Sequence, residues 1–140
     1  MNTVLWFYSG IISGWWCYAN ETNNMLNNMY INYCKKYGID YTDFVNIDVK
    51  TNCQVTDEFV DFADFVKTDN QNKLMKNIIK TSQDEYIIDF NKMIQQNVND
   101  INKKRNIMYL VIPQNIYKNK NMLKKYLLEK NVKGIAGQKF

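Results

Sequence analysis

The chain has 140 residues, 46% of them hydrophobic, and a formal net charge of +4, enough length and apolar content for one folded domain that needs no metal or disulfide staple. It contains no histidine, which removes imidazole from any catalytic scheme, and its three cysteines, Cys17, Cys34 and Cys53, are odd in number and unevenly spaced. That pattern argues against a disulfide framework, a zinc finger and a nucleophile triad, and fits reduced thiols in a cytoplasmic or nuclear protein.

The first patterned stretch, residues 5–18, is LWFYSGIISGWWCY, uncharged and holding all three tryptophans. Trp6 to Tyr8 and Trp15 to Tyr18 are strand formers, and Gly10 and Gly14 bracket a turn, so the stretch predicts a hairpin with aromatic faces. Such a hairpin builds either an ordinary core or a half-wet wall that accepts a flat polar ligand. The run is short and interrupted by Ser9, Gly10, Ser13 and Gly14, with no Lys or Arg before it, so neither a targeting peptide nor a membrane span is expected.

Residues 24–37 place Met25, Leu26, Met29, Tyr30 and Tyr33 at helical steps, with Lys35 and Lys36 in the last turn and Gly38 as a stop, which predicts an amphipathic helix. Residues 41–49 alternate enough to suggest a strand. Thr56 reads as an N-cap for a helix carrying Phe59, Val60, Ala63 and Val66, and a second helix follows with Leu74, Met75, Ile78 and Ile79 on one face. Residues 86–90 and 105–112 read as strands, the latter ended by the only proline, Pro113, with a polar hairpin or wide loop between them. A basic helix is expected over residues 120–130, then an extended, glycine-containing tail.

Charge is unevenly distributed. Residues 40–64 hold seven acids against Lys50, and residues 103–140 hold ten bases against Glu129. The second region is suited to polyanions, or is simply a solvated lysine-rich face. The 21 asparagines are scattered and read as biased composition, not as a functional tract.

A Trp-aromatic pair, Gly14-Trp15-Trp16 with Tyr18 two residues on, a helix, then Y-x-x-D-F-x-x-M-x-Q from Tyr86 to Gln95, and Arg105 leading into a strand together resemble the WWE domain. With the tail VKGIAG from Val132 to Gly137, the chain is most similar to the poly(ADP-ribose)-reading WWE domains of RING-type ubiquitin ligases. The resemblance covers roughly residues 4–30, 85–109 and 132–139. It implies an α+β fold in which an antiparallel half-barrel sheet has one helix packed across it, as a single domain over residues 1–140. Residues 39–82, mostly helical, and 114–131, with the basic C-terminal helix, would be insertions.

The resemblance also implies a non-catalytic module that binds ADP-ribose, iso-ADP-ribose or poly(ADP-ribose) chains and ADP-ribosylated proteins, with no cofactor, metal or membrane partner. By position, Gln95 matches the glutamine that reads the adenine edge, Tyr86 and Arg105 match phosphate contacts, Trp15 matches the pocket tryptophan and Lys133 a lysine near the second phosphate. Phe7 stands where a phosphate-contacting tyrosine is usual, Tyr109 where an arginine is usual, and Asn27 where a helix glutamate is usual. As the single arginine beside 17 lysines, Arg105 independently suggests a bidentate contact. Two other expectations stand beside this one: a WWE-fold protein-interaction module that has lost its ligand and uses its acidic insert, and a lysine-driven polyanion or RNA binder.

Overall fold

A computed structural model describes residues 2–45, 77–80 and 84–140. Its sheet is a curled half-barrel built around β1 (Asn2–Ser9), which pairs on one side with β2 (Trp15–Cys17) and on the other with β6 (Lys104–Pro113). The expected hairpin is present: Phe7, Tyr8 and Ser9 face Cys17, Trp16 and Trp15 across the ladder, and the Gly10 N–H bonds the Gly14 carbonyl at 2.8 Å.

Val4 to Phe7 of β1 form an unbroken apolar run, and both faces of the strand are buried there. Val4 and Trp6 project into one core with Leu26, Met29 and Tyr33 of helix α1 (Asn20–Tyr37), while Leu5 and Phe7 project into a second core on the opposite face. Trp6 is fully buried among the rings of Tyr30, Phe90 and Tyr109, at centroid distances of 5.3, 5.4 and 5.0 Å. Tyr109 is half-buried against this core.

Two asparagines of α1 complete the backbone of β1 where the β2 ladder does not reach. Asn23 Oδ1 accepts from the Trp6 N–H at 2.6 Å and its Nδ2 donates to the Val4 carbonyl at 2.9 Å, so one side-chain amide takes the place of a missing strand. One turn on, Asn27 Oδ1 accepts from the Trp6 indole Nε1 at 2.8 Å, an acceptor role that a carboxylate oxygen could equally fill. Gly38 ends α1 in the left-handed conformation, as its position after the basic turn predicts.

Several expectations are corrected. Residues 42–45 form a helical turn, α2 (Thr42–Val45), in place of a strand: the Asp40 carboxylate accepts from the Thr42 N–H at 2.9 Å and so satisfies the start of the turn. Ile78 and Ile79 belong to a strand, β3 (Ile78–Lys80), that pairs with β4 (Glu85–Asp89); both are buried there, and β-branched side chains favour a strand. The polar segment after β4 contains a strand, β5 (Ile94–Asn97), that joins β4 to β6. The proposed strand residues 46–49, the helix begun at Thr56, Leu74, Met75 and Cys53 lie outside the described residues.

The sheet order is β3-β4-β5-β6-β1-β2-β7-β8, with β7 (Val132–Ile135) and β8 (Gln138–Lys139) forming a terminal hairpin. The sheet is mixed, not purely antiparallel. β7 runs parallel to β2, after the chain has crossed the second face through α3 (Gln114–Tyr117) and α4 (Lys120–Glu129), and a parallel partner requires just such a long return. Leu123, Tyr126 and Leu127 of α4 cover Leu5, Phe7, Cys17 and Val132. Residues 114–131 therefore roof the second core.

Candidate functional site

α1 covers only part of its face of the sheet. Beyond Trp6, strand alternation brings the next side chain of β1 on that face, Tyr8, beside Arg105 of β6, and Gln95 of β5 is the cross-strand partner of Arg105. These three, with Tyr18, Tyr86 and Lys80, line a cleft of about 650 Å3. Ala19 and Thr22, at the start of α1, line it as well, and no side chain caps that helix N-terminus. Its first amides and dipole therefore favour negative charge nearby.

Arg105 borders two further hollows. One, of about 530 Å3, is walled by Trp16, Lys133 and Lys139; the other, of about 540 Å3, by Lys103 and Lys104. Among the described residues the only acid lining these spaces is Asp84, whose Oδ2 lies 3.5 Å from the Tyr86 hydroxyl.

Each polar group is held in place. Arg105 Nη1 donates to the Ser9 carbonyl at 2.9 Å while its guanidinium lies 5.7 Å from the Tyr8 ring centroid. A guanidinium carries five N–H donors, so the Ser9 bond and the stacking orient it while leaving donors for a ligand; the compact ammonium of a lysine could not do both. Gln95 is 6% exposed, and its Oε1 accepts from the Tyr18 hydroxyl at 2.5 Å. That bond fixes the orientation of the amide, leaving its N–H donors and the second lone pair of its carbonyl for a ligand. Burial pushes the Tyr18 hydroxyl well above the ordinary tyrosine range and raises Tyr8 as well, the latter opposed by Arg105. Both stay protonated at neutral pH.

Of the residues singled out from the sequence, Tyr86, Gln95 and Arg105 border the cleft, and Lys133 borders the neighbouring recess, which shares Tyr8, Arg105 and Gly137 with it. Phe7 and Trp15 border neither. Phe7 is fully buried in the second core, and Trp15 packs against the same cluster. Their immediate neighbours Tyr8 and Trp16 take the cleft side, since a shift of one residue along a strand reverses the face. Strand alternation, which puts Tyr8 on the same face as Trp6, was the signal for Tyr8; the position of Tyr18 past the end of β2 carried no such signal. Lys133 reaches the recess by lying across Gly14, whose φ of 78° and lack of a side chain leave room: a Cβ there would sit 2.7 Å from Lys133 Cε. No protein-family model matches the chain, and no curated protein sequence matches it.

Proposed function

We propose that this protein is a WWE-like, non-catalytic module that binds ADP-ribose units, either the terminal unit or the iso-ADP-ribose unit of the polymer. The observation that carries the reading is that an oriented arginine, an oriented glutamine amide and three tyrosines share one cleft of about 650 Å3, a volume suited to a nucleotide-sized ligand. Adenine needs an apolar wall and a donor for its ring nitrogens; the tyrosine rings offer the first and the Gln95 N–H group the second. Stacking of one base contributes about 1 to 3 kcal/mol. The diphosphate needs fixed cations and N–H donors, which Arg105, Lys133 and the open N-terminus of α1 supply. No paired acid and base stand in the cleft among the described residues, and binding alone accounts for the groups that do.

The test is calorimetric titration of iso-ADP-ribose and ADP-ribose into wild type and Arg105→Ala. Saturable binding of either ligand, weakened at least about tenfold in the variant, is the expected result, and the preferred ligand identifies the unit recognised. No binding of either ligand to the folded wild-type protein overturns the proposal.

A further inference from the structure

The tip of the β1–β2 hairpin has no structural task that accounts for its residues. Ile11 and Ile12 are 88% and 97% exposed, while every other large hydrophobic side chain among the described residues is at most 61% exposed. A turn of this length would normally carry polar residues. The tip is also a closed unit, since the Gly10 N–H and Gly14 carbonyl join beneath it. Around its base stand five cations, Lys103, Lys104, Arg105, Lys133 and Lys139, which border the two hollows that the tip also borders; Asp84 is the only acid there among the described residues.

Two exposed aliphatic side chains on a hairpin tip, collared by cations, match the interface of an anionic bilayer. The tip is long enough to enter the headgroup boundary, and the collar would then lie at the level of the anionic headgroups. A protein partner fits less well. Two side chains on a hairpin tip fall far short of the roughly 1,200 Å2 that a stable protein interface buries, and a protein would need a cavity to receive them. No helix among the described residues is long and apolar enough to cross a membrane. We propose that the Ile11–Ile12 tip and its lysine collar form a docking surface for anionic membranes. The sequence, read for spans and leaders, gave no membrane partner; the juxtaposition arises only when Lys103, Lys104, Lys133 and Lys139 are folded around residues 11 and 12.

The experiment is co-sedimentation of the whole chain with vesicles of phosphatidylcholine alone and of phosphatidylcholine with phosphatidylserine in equal parts. Wild type, Ile11→Ser/Ile12→Ser and Lys103→Ala/Lys104→Ala are compared at low and physiological salt. The expected result is binding to the anionic vesicles only, weakened about tenfold or more by the isoleucine pair and several-fold by the lysine pair. Both pairs are exposed, so thermal unfolding should match wild type and exclude misfolding as the cause. Absence of vesicle binding overturns the proposal. So does binding that the isoleucine pair leaves unchanged, which would reduce the effect to general attraction of lysines. Sedimentation equilibrium without lipid completes the test: self-association abolished by the isoleucine pair would assign the tip to a second copy of the chain and overturn membrane docking.

Discussion

Replacing Asn23 by alanine should destabilise the fold out of proportion to the size of the change. The side chain is 5% exposed and satisfies the Trp6 N–H at 2.6 Å and the Val4 carbonyl at 2.9 Å. The Val4 carbonyl has a second donor, Asn27 Nδ2 at 3.3 Å; among the described residues no other acceptor is seen for the Trp6 N–H, and β2 pairs with β1 only from Phe7 onward. An orphaned buried donor costs about 1 to 3 kcal/mol, and loss of the bond to Val4 adds about 0.5 to 1. Alanine returns about 0.5 kcal/mol through better helix propensity. The net loss is about 1 to 3 kcal/mol, equivalent to a fall in Tm of roughly 3 to 10 °C for a domain of this size. Urea unfolding monitored by tryptophan fluorescence measures it, with Asn28→Ala as the reference, since Asn28 lies on the same helix without such bonds and should change stability by less than about 0.5 kcal/mol. Equal midpoints for the two variants would refute the view that Asn23 stands in for a strand.

Phe7→Tyr should destabilise by about 1 to 3 kcal/mol and leave ADP-ribose affinity unimproved, because its hydroxyl would enter the closed second core; a gain in affinity by calorimetry would show that Phe7 reaches the ligand. Tyr18→Phe leaves the Gln95 carbonyl unpaired and should weaken ligand binding about tenfold while costing about 1 to 3 kcal/mol in chemical unfolding. Asp84→Asn removes the one acid that lines the three hollows around Arg105 among the described residues and should strengthen diphosphate binding a few-fold, most clearly at low salt. Cys17 is pushed from 9.0 up to about 12 by burial. A raised folded value means the unfolded chain ionises first, so the stability from this thiol is complete below pH 9 and is lost as pH rises toward 12. Urea midpoints measured across that range should fall, and fall less in Cys17→Ala.

Strand alternation explains where the sequence was and was not informative. The β1–β2 hairpin, α1, β4, β6 and α4 announced themselves through aromatic runs, helical spacing and the Gly38 stop. β5, with the sequence IQQN, did not, because its buried side chains are polar: Gln95 lines the cleft and Asn97 Oδ1 accepts from the N–H groups of Asn99 and Asp100. The turn at Thr42 was missed because an aspartate two residues earlier outweighed the alternation of Tyr41, Phe44 and Val45. At the site, Gln95, Tyr86, Arg105 and Lys133 were legible as types in an order. The faces of Phe7 and Trp15 were not, since both strands are apolar on two sides and periodicity there cannot tell the faces apart. The asparagines were discounted as composition, yet Asn23 bonds the Trp6 N–H and the Val4 carbonyl, and Asn27 the Trp6 indole and the Val4 carbonyl, a role that depends wholly on which strand lies beneath the helix.

The central strand of the sheet is also the first one made. Trp6 pairs with Tyr109 and Leu5 with Leu110, so a ribosome adding about 5 to 20 residues per second holds Val4 to Phe7 unpaired on the β6 side for roughly 5 to 20 seconds. Through that interval the nascent chain displays an uncharged aromatic segment with strong strand propensity, the kind that seeks any free edge. Expression in a chaperone-poor background, or arrest of translation before β6, should therefore yield aggregates instead of a partly folded domain, and slowing synthesis should lower the soluble yield.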